Sequence, residues 1–397
     1  MKNRQMMILG AGIYQVPLLK KARELGFHTI AVSCPGPYPG FSLADEVLYL
    51  DTTDAEGILA AARERGIGGI CTTGTDVAVR SIGLVNDELG LSGISGAAAR
   101  SLTDKSLMKK AFAGAGVRTA DFRRVFDLSE AKEALRELGV PCVVKVTDKS
   151  GSRGVIRVDS EEELAEAYAA ARAVTGKPYL LVEKFIEGHE IGVDAFICRG
   201  EAVLLLPHDK LMFHGARTTV PVGHIFPYPM SAALEADLKE QVRRIILATG
   251  MDNCAMNMDA FVVGEKIYVI EAGGRCGATC IPELISMYGG IDYYGQMLCA
   301  AAGEPSDFSL KTAVPCRASL LYREKPGRLA AIREEKIAEM AERGIQVSFD
   351  YAPGARLPAM RDGTDRIGQV IAPCADAAAF GEIFREAMDC AVIEEEI

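Results

Sequence analysis

From Met6 to Leu89 short apolar runs take turns with amphipathic stretches, and this alternation constrains the fold more than any other feature of the chain. Met6-Met7-Ile8-Leu9 predicts a buried strand that ends in Gly10-Ala11-Gly12. An amphipathic stretch from Val16 to Leu25 follows, then the β-branched run Thr29-Ile30-Ala31-Val32. The pattern repeats with a strand over 46–50, a helix over 56–65, a strand over 69–73 and a helix over 77–89. Strands alternating with helices imply a parallel sheet. Gly93 and the small residues from Gly96 to Ala99 read as a connection. Ser101-Leu102-Thr103-Asp104 then caps a helix beginning near Lys105, which puts the end of a first α/β domain at residue 103.

After Asp127 the rhythm changes. A helix over 129–138, strands over 142–146 and 154–158, a helix over 161–173 and a strand over 179–183 predict a small α+β layer. Strands over 191–198 and 203–206, a helix over 232–248 and a hairpin over 256–271 turning at Gly264-Glu265-Lys266 follow. A last segment from Pro305 onward has strands over 316–321 and 367–371 and a helix over 377–388. The length of 397 residues exceeds what one compact core holds, so clefts between subdomains are expected.

Composition narrows the function classes. A net charge of −10 has the wrong sign for a nucleic-acid or anionic-membrane binder, which leaves small-molecule chemistry. The 11 cysteines lie scattered in apolar stretches without a disulfide-scaffold spacing and read as reduced core thiols. Met6-Met7-Ile8-Leu9 is far shorter than a signal-peptide core, and no apolar run approaches the roughly 20 residues of a membrane span, so a cytoplasmic address is expected.

Four motifs carry chemistry. Gly10-Ala11-Gly12 follows a strand and opens a helix, but Gln15 replaces the third glycine of a dinucleotide fingerprint, and Ser33-Cys34-Pro35 stands where a ribose-binding acid belongs; a plain Rossmann-like turn is the better reading. Asp148-Lys149-Ser150-Gly151-Ser152-Arg153-Gly154 joins two strands just after Lys145. Its small residues can fold over a triphosphate while Lys145 supplies a fixed charge; the plainer reading is a hairpin turn beside a surface lysine. In Leu180-Leu181-Val182-Glu183-Lys184-Phe185-Ile186-Glu187-Gly188-His189-Glu190 an apolar strand ends in an acid and a second acid follows seven residues on, as a hinge reading an adenine edge and a ribose requires. Asp259 and Glu271 lie on opposite arms of the hairpin, so both carboxylates return to one end of the ribbon and can share a divalent cation. Arg275 follows, placed to neutralise a transferring phosphoryl group. The plainer reading is two solvated acids beside a turn.

Together, in this order, the motifs resemble those of the ATP-grasp proteins, and the chain is similar to carboxylate–amine ligases and to the synthetase units of carbamoyl-phosphate synthase and biotin carboxylase. The resemblance implies a Rossmann-like pre-grasp domain over 1–103, a two-subdomain ATP-grasp fold over 104–303 with a lid over about 120–186, and a C-terminal α+β segment over 304–397. It implies ATP contacts from Lys105, Lys145, Ser150, Gly151, Ser152, Gly154, Glu183, Lys184, Phe185 and Glu190. Asp259 and Glu271 resemble the magnesium ligands, for one or two ions with manganese as a substitute, and Arg275 the active-site arginine. Gly273 departs from the family pattern Glu-x-Asn-x-Arg; either Asn257 or water takes the missing ligand's place, or the metal count differs.

Lys210, His214 and Arg217 fall in a polar stretch, Pro207 to Arg217, read as a loop within reach of the γ-phosphate or a substrate carboxylate. Asp76, in Thr73-Gly74-Thr75-Asp76, and Gly273 are further candidates on the substrate side. Cys276 and Cys280 form a C-x3-C without the second pair a zinc site needs, and Glu394 to Glu396 read as a solvated tail. The expected activity is ATP-dependent joining of a small carboxylate, an amino acid foremost, to an amine through an acyl phosphate. A bicarbonate-using carboxylase and a silent nucleotide-binding regulator are the alternatives. Expected partners are small-molecule carboxylates and amines and a second copy in a homodimer, with no nucleic acid and no membrane.

Overall fold

The computed structural model describes residues 4–148, 154–214, 219–361 and 363–395. The first domain holds strands β1 (Gln5–Leu9), β2 (His28–Ser33), β3 (Glu46–Tyr49) and β4 (Gly69–Cys71) and helices α1 (Val16–Glu24), α2 (Ala55–Arg65), α3 (Val79–Leu89) and α4 (Gly96–Thr103). The strands pair in parallel in the order β3-β2-β1-β4, as the alternation predicts. Asp54 caps α2 by accepting from the Gly57 amide, and Gly66 ends it in the left-handed region at φ 58°. The 96–99 stretch expected as a connection is instead the first half of α4, capped by Ser95. Its small residues serve helix packing: a Cβ on Gly83 of α3 would sit 2.7 Å from the Ala99 Cβ, so the two helices meet at close range.

Helix α5 (Lys105–Gly114) leads from α4 to a second layer of helices α6 (Leu128–Leu138) and α7 (Leu164–Val174) with strands β5 (Phe122–Val125), β6 (Cys142–Lys145), β7 (Val155–Val158) and β8 (Leu180–Lys184). Asp104 caps α5 through the Ser106 and Leu107 amides. The sheet is antiparallel in the order β5-β8-β6-β7, and its inner face closes on α6 and α7 with a small core of its own, including Leu135, Val144, Leu164 and Val182.

The remaining elements are β9 (His189–Cys198), β10 (Glu201–His214), β11 (Thr219–Phe226), α8 (Ala232–Thr249), β12 (Cys254–Val263), β13 (Lys266–Gly273), α9 (Ile281–Gly289), α10 (Tyr293–Ala301), β14 (Cys316–Leu321), β15 (Gly327–Ile332), α11 (Glu334–Glu342), β16 (Gln346–Phe349), β17 (Arg356–Leu357), β18 (Gly368–Ala372), α12 (Ala377–Met388) and β19 (Ala391–Glu395). Among the described residues one sheet runs β13-β12-β9-β10-β11-β14-β18-β16 and a smaller one β17-β15-β19. Two readings change here. The stretch from Pro207 is no loop, because β10 continues through it to His214, zipped to β9 and β11. Glu394 and Glu395 are no free tail either, since both pair with β15 opposite Arg328 and Gly327. One apolar core runs from Met7, Ile30 and Ile82 of the first domain through Phe112 and Leu238 to Val193, Met256 and Val269 of the large sheet, which fixes the first domain against the hairpin β12–β13. No helix among the described residues is long and apolar enough to cross a membrane, and the cysteines are free thiols.

Candidate active site

A cavity of about 350 Å³ lies where the β5-β8-β6-β7 sheet faces the end of the β12–β13 hairpin, lined among others by Lys105, Lys145, Glu183, Phe185, Asp259 and Glu271. The pairing of β6 with β8 sets Val143 opposite Glu183 and Lys145 opposite Leu181, so Lys145 and Glu183 are diagonal neighbours on one face. Glu183 Oε1 lies 2.8 Å from Lys145 Nζ and Oε2 lies 3.2 Å from Lys109 Nζ. Lys109 was not foreseen. It sits on α5 one turn after Lys105, only 2% exposed, and also donates to Thr119 Oγ1 at 2.6 Å. Burial pulls its pKa down to about 8 against the opposing pull of Glu183. The i,i+4 spacing from Lys105 is the signal that places it on the same helix face. Glu183 is buried, and its two oxygens are each held by a lysine, Lys145 and Lys109.

The hairpin does what its spacing predicts, for Asp259 and Glu271 are direct register partners across β12 and β13. Each carries a lysine. Lys105 Nζ is 2.8 Å from Glu271 Oε2, and Lys210 Nζ is 2.6 Å from both Asp259 Oδ1 and Glu190 Oε1. Burial works against the Lys210 charge, but Asp259 and Glu190 outweigh it and hold the ammonium above its ordinary range. Two carboxylates opening on a lysine-lined cavity suit magnesium, which is commonly held by one or two carboxylates together with substrate phosphates. Among the described residues no three candidate ligands cluster, so an all-protein metal cage is not built here.

Arg275 lies outside that cavity's lining and is held on every side. Its Nε and Nη2 donate to the two oxygens of Asp76 at 2.9 and 2.7 Å, and Nη1 donates to Asn257 Oδ1 at 2.7 Å. Burial opposes the Arg275 charge, and Asp76 more than compensates, raising its pKa; the same arginine holds the Asp76 carboxyl below its usual range against burial. Gly273 explains itself here. A Cβ at this position would sit 2.7 Å from Asp76 Oδ1, so the side chain found there in the family pattern gives way to the carboxylate of Asp76. The expectation that Asn257 fills the gap as a metal ligand also changes: its oxygen takes the arginine, and its Nδ2 donates to Asp194 Oδ2 at 2.9 Å. Asp194 is fully buried and also accepts from the Gly277 amide at 2.8 Å and faces His208 Nε2 at 3.1 Å.

The other expected residues are spread differently. Phe185 lines the cavity under the Arg157 guanidinium, 4.2 Å from its ring, but its amide is spent on the Pro141 carbonyl. Lys184 ends β8, and its amide bonds Asp121. Gly154 closes a turn at φ 72°, where a Cβ would meet Val146 and Val174 at 2.9 Å. His214 is an exposed residue at the end of β10 and lines neither this cavity nor the next. Ser150, Gly151, Ser152 and Arg217 lie outside the described residues.

A second cavity, of about 570 Å³, opens beyond the Gly277–Cys280 loop and is walled by Tyr14, Thr73, Glu283, Asp350, Arg366 and Gln369, among others. Sequence reasoning did not find it, because its wall is gathered from both ends of the chain.

Residues 138–283 match the family model of the ATP-grasp domain. Phosphoribosylglycinamide synthetase from Anaerococcus prevotii shares the fold over 99% of both chains, with a TM-score of 0.83 and 29% identity. L-amino acid ligase from Bacillus licheniformis does so over 100% of both, with a TM-score of 0.79 and 18% identity. Alanine–anticapsin ligase from Bacillus subtilis is 26% identical over 243 residues, 55% of this chain and 51% of that protein. The chain therefore spans about half the length of that relative. These matches agree with the lysine-lined cavity and its paired carboxylates: residues 138–283 form an ATP-grasp domain, and the chain is similar to ADP-forming carbon–nitrogen ligases of the carboxylate–amine type.

Proposed function

We propose that the protein joins a small-molecule carboxylate, an amino acid foremost, to an amine by way of an acyl phosphate. The observation that carries this reading is the register pairing of Asp259 with Glu271 at the mouth of a cavity whose other wall presents Lys105 and Lys145. ATP-grasp enzymes use ATP with magnesium. Lys105 and Lys145 bind the phosphate oxygens, Glu183 fixes Lys145 and Lys109 on the adenine side of the cavity, and Glu190 takes the ribose. Because the Lys184 and Phe185 amides are both engaged, the backbone amide contact to the base falls to their cavity-lining neighbour Ile186. Asp259 and Glu271 would hold the magnesium, which when bound would neutralise phosphate charge. The substrate carboxylate attacks the γ-phosphorus, the bond to ADP breaks, and the amine later displaces phosphate from the acyl carbon. Arg275, neutralised by Asp76, positions the hairpin against the first domain and serves the transferred group only if Asp76 releases it.

The test is hydroxylamine trapping. With ATP, magnesium and the correct member of a carboxylate panel, hydroxylamine yields a hydroxamate with ADP and phosphate. AMP and pyrophosphate in place of ADP reject the mechanism. ATP turnover that depends on bicarbonate alone moves the activity to carboxylation.

A further inference from the structure

The second cavity carries an unbalanced charge. Arg366, 4% exposed, is answered within its own wall: Nε donates to Asp350 Oδ2 at 2.6 Å, and Nη2 to Asp350 Oδ1 at 3.2 Å and Gln369 Oε1 at 2.9 Å. Glu283, in the first turn of α9, is not answered by a cation, and among the described residues it makes no ion pair with Arg366. Its side-chain partner is the Tyr294 hydroxyl, which donates to Oε1 at 3.0 Å. Lys20 also lines the cavity but is exposed to solvent. The inner wall is therefore a neutral pair plus one carboxylate, and its complement is a cation. A phosphorylated amine is the wrong ligand for it. The cavity also adjoins the chemistry, since the chain that carries Glu271 into the nucleotide cavity reaches the second one at Gly277.

Resting on the ligase reading, we propose that this cavity is the amine-acceptor site, taking a small ammonium compound without a phosphate group, and that Glu283 binds the ammonium and accepts its proton. The step balances as follows. Glu283 takes one proton from the ammonium and frees the nitrogen lone pair. The nitrogen forms the C–N bond to the acyl carbon, and the C–O bond breaks with its electrons on the departing phosphate. The second nitrogen proton leaves with that phosphate. Burial holds the Glu283 carboxyl above its usual range despite Tyr294 and Arg366, which suits an acceptor of protons. The ordinary alternative is that Glu283 serves the dipole of α9, where any carboxylate in the first turn is favoured.

Glu283→Gln separates the two. The amine is chosen on the wild type from a panel of the standard amino acids, ethanolamine and O-phosphoethanolamine. In the variant, kcat/KM for that amine falls about 10²-fold or more. Hydroxamate formation, which uses an amine that is mostly unprotonated at neutral pH, stays within about threefold, and Glu283→Asp recovers part of the ligation. Wild-type ligation by Glu283→Gln overturns the assignment, and so does an equal loss of ligation and hydroxamate, which would place Glu283 in the fold or in carboxylate activation. Preference of the wild type for O-phosphoethanolamine over ethanolamine overturns the ligand class. A wild type that makes no hydroxamate with any carboxylate overturns the ligase reading and this assignment with it.

Discussion

Gly273 shows how a single missing side chain is balanced 197 positions away, by Asp76. An amide side chain at 273 must push Asp76 off Arg275, leaving the buried guanidinium without its bidentate partner. Gly273→Asn is therefore expected to destabilise the fold by about 1–3 kcal/mol. Asp76→Gly should cost less in the Gly273→Asn background than in the wild type, giving a coupling of about 0.5–3 kcal/mol in a double-mutant cycle read by chemical denaturation. Additive losses would mean that the two positions do not share the space. At this scale the sequence was legible where spacing alone decides geometry, as with Asp259 and Glu271. It was silent where partners come from remote segments: nothing near Arg275 announces Asp76, and nothing near Glu283 announces the Arg366 wall. Lys109 lay between, visible in principle from its spacing to Lys105 but indistinguishable from a solvated lysine until burial is known.

Elements decide which residues meet, and the hairpin β12–β13 is the clearest case. Its turn at Gly264, with φ 56°, brings Asp259 and Glu271 into register, and a bulge between Asp259 and Ala260 re-aims the strand just past the pair. Glu271→Gln keeps the volume but weakens the proposed magnesium ligand, so turnover should fall about 10²-fold or more while stability moves by less than about 1 kcal/mol. The check is turnover against magnesium concentration, with a rightward shift expected; a wild-type magnesium curve would place the ion elsewhere. Helix and strand periods made the parallel sheet and the β5-β8-β6-β7 layer readable. They failed at α4, where the small residues that look like a linker are a close helix contact, and at β10, where polar residues expected in solvent sit on a strand held between two neighbours. In both, tertiary packing outweighs local composition.

At the scale of the molecule, the first domain, the hairpin and the C-terminal strands share contacts too extensive to treat as beads on a string. The large sheet crosses from β11 to β14 without a break, through pairs such as His224 with Ala318 and Phe226 with Cys316. A fragment ending at residue 303 would leave β11 with its outer hydrogen-bonding groups bare, and is expected to aggregate and to lose the cooperative unfolding of the whole chain, as light scattering and calorimetry would show. The stretch recognisable as ATP-grasp by sequence, 138–283, ends inside α9, so the boundary of kinship is not a boundary of folding. Modularity in this protein is a property of ancestry alone: transplanting the nucleotide-handling portion into another relative would sever a continuous hydrogen-bonded ladder, and any exchange that succeeds has to carry the C-terminal strands along with it.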